Sequence, residues 1–284
     1  MEKSNPIHEI KKCISFVFIK NDKNEIIANG TGFFVSVVNE LNKGIQHVYF
    51  ATAKHVLKDK DGKYFEEIYL RLNKKGADSE LIKIELKNVT IFEHTDGDVD
   101  IAVFNCLPDI NVHDFKTIPS EMFATDQKIK ENDISEGDDV FFTGLFTSYV
   151  GQKRSQPIVR FGKLALLPEE KIEWKEAGKN PKMLDPFLME AQSFGGNSGS
   201  PVFFNLSPMR KPGVISFDGT NLLFAGVVSG SFLSGNKIQT TDVVPNLFSM
   251  ENLGICAVVP AQKINDILFD QKLIDSRKDN QVVK

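Results

Sequence analysis

The sequence predicts an all-β chain that ends in a helix, and three observations predict it. Short runs of β-branched and aromatic residues recur along most of the chain, separated by Gly, Asn and Asp clusters that suit turns rather than helices. Residues 108–130 lack any sustained strand period and divide those runs into two groups. After residue 260 the pattern changes: Ile264, Ile267 and Leu268 fall at helical spacing. With 284 residues, 41% hydrophobic and 25% charged, the chain has enough material for two packed units of ordinary domain size.

In order, residues 7–12 suit a short amphipathic helix and residues 13–19 (CISFVFI) a strand, with the polar turn 21–24 leading back in a hairpin. Residues 30–37 (GTGFFVSV) form a second strong strand, whose glycines mark a place where backbone passes close to another segment. A loop over 39–46 leads to the strand 48–53. Asp59-Lys60-Asp61-Gly62 is a turn, residues 68–72 and 81–86 alternate as strands, and the strand after Asp100 completes the first group. The second group opens with an acidic Gly turn and strand over 134–144, followed by a hairpin partner over 154–165. Residues 171–183, charged and carrying Trp174, read as a surface excursion beside the candidate site that follows at 194–201. Residues 207–213 are a turn, 222–231 and 254–260 strands, 261–273 the helix, and 276–284 a polar frayed tail.

Chemistry concentrates at residues 194–201 (FGGNSGSP), which precede the apolar run Val202-Phe203-Phe204. Ser198 stands between glycines, so a substrate carbonyl can approach the bare N–H groups of Gly196 and Ser198. Alone, the stretch equally describes a Gly/Ser turn between strands. Two other segments supply partners. His55 follows the strand ending in Thr52-Ala53, and Asp100 immediately precedes Ile101-Ala102-Val103-Phe104. Asp98 is a rival to Asp100 by spacing, whereas His8, His47, His94 and His113 lack such a setting. A serine hydroxyl needs a base to attack at neutral pH, and the order His, Asp, Ser is one of those used by convergent catalytic triads.

Thr52-Ala53-Lys54-His55-Val56, Asp100-Ile101-Ala102-Val103 and Gly196-Asn197-Ser198-Gly199-Ser200-Pro201 together resemble the trypsin-like serine peptidases, particularly the bacterial HtrA-related branch. The resemblance implies two six-stranded antiparallel β-barrels of chymotrypsin/trypsin-like fold with a C-terminal helix. Residues 1–108 would be the barrel carrying His55 and Asp100, 109–133 the connection, 134–260 the barrel carrying Ser198, and 261–284 the helix and tail. No module resembling the HtrA peptide-binding (PDZ) domain is expected. It further implies a cofactor-free serine endopeptidase acting on proteins or peptides, with His55 as base, Asp100 orienting it, Ser198 as nucleophile, and Gly196 and Ser198 as the oxyanion hole.

Strand 222–231 resembles the one on which this family pairs extended substrate, which makes Ser229, Gly230 and Ser231 substrate-binding candidates. Gln192, six residues before the nucleophile, would floor the pocket for the residue preceding the scissile bond, with Gly254 as a wall. Its neutral side chain implies an uncharged or apolar preference there. Asn197 departs from the aspartate that zymogen-activated relatives use to pair a new N-terminus, so no proteolytic maturation is expected.

The remaining numbers exclude more than they assign. A net charge of −4 gives no electrostatic ground for nucleic-acid binding. Cys13, Cys106 and Cys256 are odd in number and widely separated, unlike a disulfide framework or a zinc motif. No apolar run is long enough to span a bilayer, and the polar N-terminus lacks a signal-peptide pattern, so a cytoplasmic location is expected. An unregulated protease there is hazardous. Narrow specificity, a misformed resting oxyanion hole or a regulatory partner protein would answer that hazard. The competing reading is a catalytically silent peptide-binding or scaffold protein on the same fold, and a third is an esterase alone.

Overall fold

The computed structural model describes residues 5–39, 42–174, 181–208, 221–237 and 248–279. Parts of the expected excursion 171–183, turn 207–213 and tail 276–284 lie outside these residues, as does much of the span between Ser231 and Leu253.

The chain begins with helix α1 (Pro6–Lys11), capped by Asn5, whose side-chain oxygen accepts from Ile7 N at 3.0 Å. Strands β1 (Ile14–Lys20), β2 (Ile26–Val38) and β3 (Gln46–Thr52) follow, then a 3-10 turn (Lys54–Leu57), β4 (Glu67–Asn73), β5 (Ser79–Glu85), β6 (Ile91–Glu93) and β7 (Ala102–Asn105). The connection carries β8 (Ile118–Pro119) and helix α2 (Asp126–Glu131). Next come β9 (Asp139–Gly144), β10 (Ile158–Leu166), the small hairpin β11 (Ile172–Trp174) and β12 (Lys182–Leu184), β13 (Phe187–Glu190), β14 (Pro201–Asn205), β15 (Leu222–Lys237) and β16 (Phe248–Pro260). Helices α3 (Ala261–Leu268) and α4 (Gln271–Asp279) end the described chain.

The rear strands close into a six-stranded antiparallel barrel in the order β10-β13-β16-β15-β14-β9. The front strands form an eight-stranded sheet in the order β5-β4-β1-β2-β3-β7-β6, with β8 added in parallel to β2. The front half thus has more strands than the six expected, and among the described residues its end strands β5 and β6 do not pair. The reason is local: β5 alternates half-buried with exposed residues, the pattern of an edge, and a 3-10 turn at Leu86–Asn88 redirects the chain before β6.

Strand alternation explains why the chain reads as long apolar runs. Phe33 and Val35 point into the seam between the halves while Phe34 points into the front core. In the rear barrel Phe203 and Phe141 face the seam, whereas Phe204 and Phe142 face the barrel interior. Both faces of these strands are therefore dry, and β1 is buried over six consecutive residues. The seam is lined with phenylalanine: Phe224 lies 5.3 Å from Phe33, 5.0 Å from Phe123 and 5.8 Å from Phe203, ring centre to ring centre. Ile264 and Leu268 of α3 complete this layer, which locks the two halves together. Among the described residues no helix is long and apolar enough to cross a membrane.

Candidate active site

His55 is delivered by the end of β3. Ala53 is fully buried, and Val56 N bonds back to Ala53 O at 3.0 Å, so the chain turns sharply and leaves the His55 side chain 49% exposed above the seam. Asp100 meets it from the loop before β7. Its Oδ1 accepts from the His55 backbone N–H at 3.0 Å, and its Oδ2 lies 2.6 Å from His55 Nδ1. A carboxylate can only accept, so this contact assigns the ring proton to Nδ1 and leaves Nε2 as the acceptor of a neutral imidazole. Ser229 Oγ donates to the same Oδ2 at 2.8 Å. Burial pushes the Asp100 carboxyl up, yet attraction to His55 and the bonds from His55 and Ser229 outweigh it and hold the group below its ordinary value. Asp98, the rival by spacing, donates its own N–H to Asp96 Oδ1 at 3.0 Å and stays exposed in the preceding turn.

Ser198 lies in the second of two consecutive turns. Asn197 N bonds to Phe194 O at 3.0 Å with Gly196 at φ 92°, and Ser200 N bonds to Asn197 O at 3.0 Å with Gly199 at φ 83°. Positive φ at the third position makes each a type II turn, for which glycine is the favoured residue. Thr31 fastens the loop to the front sheet: its N–H donates to Ser198 O at 2.9 Å, its hydroxyl donates to Gly196 O at 2.8 Å, and it accepts from Leu145 N at 2.9 Å. Thr52 in turn donates to Thr31 O at 2.6 Å. Gly30 is wedged in this contact, since a Cβ there would lie 2.7 Å from Val56 Cγ1 and 3.3 Å from Ser198 O. The residue after His55 and the backbone of Ser198 are thus separated by one bare glycine.

The Ser198 hydroxyl lies 3.5 Å from Ser229 O, so Ser229 touches Ser198 with its carbonyl and Asp100 with its hydroxyl. Among the described residues neither the Gly196 nor the Ser198 N–H has an intramolecular acceptor. A cleft of about 420 Å3 opens over His55, Asp100 and Ser229. Lys58, Asp59, Gly62, Trp174, Lys182 and Leu184 also line it.

A Cβ at Gly199 would overlap Thr31 O and Thr52 Oγ1 while also demanding positive φ. Gly199→Ala is therefore expected to destabilise the fold by about 3 kcal/mol or more, read as a lowered melting temperature. Asn197 is buried and uses both ends of its amide: Nδ2 donates to Leu145 O at 2.7 Å and Oδ1 accepts from Phe194 N at 2.9 Å. A local amide does here what a paired charge would otherwise have to do. Asn197→Asp turns an oxygen against Leu145 O and buries a charge; denaturant titration should show a loss of about 3 kcal/mol. Nearby, the loop between β9 and β10 is pinned by Arg71, whose guanidinium donates to Val150 O (3.0 Å), Gly151 O (2.8 Å) and Gln152 O (2.9 Å). That loop begins with Leu145 and Thr147, which pack around Gly196.

The specificity candidates separate. Gln192 is exposed, so its side chain does not floor a pocket. Gly254, at φ 76°, accepts from Ala191 N at 2.8 Å and donates to Asn252 Oδ1 at 2.9 Å, holding the segment before Ser198; Asn252 also donates to Ser193 O. Ser231 Oγ is 3.8 Å from the buried Cys256 thiol, which donates to Ala191 O at 2.9 Å. Gly230 leaves room for Trp174: a Cβ there would lie 3.0 Å from the indole, which also meets the Phe232 ring edge-on at 4.8 Å.

Trp174 lines the cleft, in the stretch expected to run beside the site. Sequence reasoning missed Cys256 and Arg160 as neighbours of the Ser198 loop. For Arg160 the signal was a charge at an inward position of an alternating strand. All three cysteines are free, and burial pushes the thiols of Cys13 and Cys106 up to about 12, which disfavours their thiolate forms. Among the described residues no three His, Cys, Asp or Glu side chains converge as a metal site does.

No protein-family model matches the chain, and no curated protein does. Among solved structures the chain is similar to the Rv3671c protease of M. tuberculosis in its active form, with a TM-score of 0.49 and 15% identity over 93% of this chain and 83% of that one. The inactive form of that protease gives 0.47 and 16% over 93% and 91%. A thermostable serine protease, AL20, from an extremophilic microorganism gives 0.46 and 13%, covering 92% of this chain and 97% of that one.

Proposed function

We propose that the chain is a serine endopeptidase, with residues 1–108 supplying the base and residues 134–260 the nucleophile. The observation that carries the reading is the convergence on Ser229. Its hydroxyl bonds the Asp100 carboxylate that holds His55 Nδ1 at 2.6 Å, and its carbonyl lies beside Ser198 Oγ. In this reading Ser198 Oγ attacks the peptide carbonyl as His55 Nε2 takes its proton. Asp100 accepts from Nδ1–H and stabilises the imidazolium. The oxyanion is received by the amides of Gly196 and Ser198, which are in want of acceptors. His55 then protonates the leaving amine, and water repeats the sequence on the acyl-enzyme to release the second product. No cofactor or metal enters any step.

An extended peptide suits the cleft because strand β15 can offer main-chain hydrogen bonds at Ser229 to Ser231. Three free thiols agree with a reducing, cytoplasmic setting. The deciding experiment is labelling with a fluorophosphonate probe alongside cleavage of unfolded protein substrates. Wild type should label and cleave, and Ser198→Ala should do neither. A wild type that never labels, even with candidate partner proteins present, hands the case to the silent peptide-binding reading. Turnover of activated esters without proteolysis would indicate an esterase.

A further inference from the structure

Arg160 lies on β10 opposite Phe142, so by strand alternation its side chain shares the face that packs Phe142, Met189, Val202 and Cys256 inside the closed barrel. A guanidinium in such a place ordinarily has acceptors. Arg71 donates to three carbonyls, and Arg154 donates to those of Lys74 and Ala77. Arg160 differs. Among the described residues it makes no hydrogen bond or ion pair, its Nε is buried with no acceptor, and its Cζ stands 4.8 Å from the Phe194 ring centre.

Its surroundings are those of the candidate site. Phe194 opens the turn that leads to Ser198. Cys256 lies close enough to sense the Arg160 charge: burial pushes its thiol up, while Ser231, Ser193 and the Arg160 cation act in the opposite sense. Cys256 also touches Ala191 O and Ser231 Oγ. Cys256 thus joins Ser231 to the segment 191–194 that leads into Ser198, and Arg160 stands against Phe194 of the same segment. A side chain preceding the scissile bond would fall there if the substrate lies along β15.

We propose that Arg160 is a specificity-determining residue, and that the chain cleaves after acidic residues, whose carboxylate supplies the acceptor this guanidinium lacks among the described residues. The inference rests on the peptidase reading above and replaces the uncharged preference that Gln192 suggested. A carboxylate matches the planar donor fork, and the bond gains strength from partial desolvation. An aliphatic side chain leaves the buried donor unpaired, an amide offers it only an uncharged acceptor, and a lysine or arginine meets a like charge.

The test uses the full-length protein and internally quenched peptides that differ only before the scissile bond, carrying Glu, Asp, Gln, Leu or Lys. Glu or Asp should exceed Leu in kcat/KM by about 100-fold, the upper end for a buried donor left unsatisfied, and Gln by about tenfold, since its amide oxygen accepts without a charge. Arg160→Gln should collapse both ratios towards one, and Arg160→Lys should keep part of the first. Fluorophosphonate labelling of Ser198, which requires no acidic side chain, runs in parallel. A wild type that labels but prefers Leu or Lys, or an acidic-to-neutral ratio indifferent to Arg160→Gln, overturns the inference and leaves the peptidase standing. Absence of both labelling and cleavage overturns both. If Arg160→Gln does not fold by circular dichroism, Arg160→Lys decides: a Glu-to-Leu ratio reduced about tenfold supports the proposal, and an unchanged one overturns it.

Discussion

Ser198→Ala is expected to lower kcat by about 10^6-fold, and His55→Ala should cost nearly the same. The reason lies in the chemistry. An alcohol without its base is a weak nucleophile, and a base without its nucleophile has only water to activate. The double variant should therefore be no slower than either single one, because in the proposed mechanism both groups serve one proton transfer. Residual turnover about 10^3-fold above the uncatalysed rate should persist in all three, supplied in the proposed mechanism by the amides of Gly196 and Ser198 and by substrate binding. The measurement is single-turnover kinetics on one peptide across the three variants. Additive losses would show that the two side chains act separately and would break the mechanism.

Asp100→Asn should lower kcat by about 10^4-fold while leaving the loop geometry intact. Oδ2 accepts from both His55 Nδ1 at 2.6 Å and Ser229 Oγ at 2.8 Å, whereas Oδ1 accepts from the His55 backbone. An amide can preserve only part of that set. Turned to satisfy the backbone N–H, it presents an NH2 to Nδ1 and drives the ring proton to Nε2, where it blocks attack. The variant also separates stability from catalysis through pH. The Asp100 carboxyl titrates below its ordinary value of 3.8, so its interactions stabilise the fold fully above that value and are lost as pH falls through the lowered pKa. The melting-temperature gap between wild type and Asp100→Asn should accordingly close in strong acid. A gap that instead widened there would contradict the assignment of a charged Asp100.

Much of this molecule is legible in its residues, because turns and strands are local events. Gly196 and Gly199 announce positive-φ turn positions on either side of a hydroxyl, and short β-branched and aromatic runs bounded by turn residues announce β2, β3, β9 and β14, since a strand that is dry on both faces is a continuous apolar run that a short stretch alone displays. Strand β13 escaped this reading. Its four residues are too few to show a period, and it exists by virtue of β10 and β16 on either side. The choice of Asp100 over Asp98 rests on which carboxylate the fold brings to the His55 backbone. The extra strands of the front sheet, the seat of Trp174 on Gly230 and the missing acceptor of Arg160 are likewise relations between segments far apart in the chain. Periodicity and turn chemistry state what a segment becomes. Packing of remote segments states what it touches, and in this protein the contacts assemble the site.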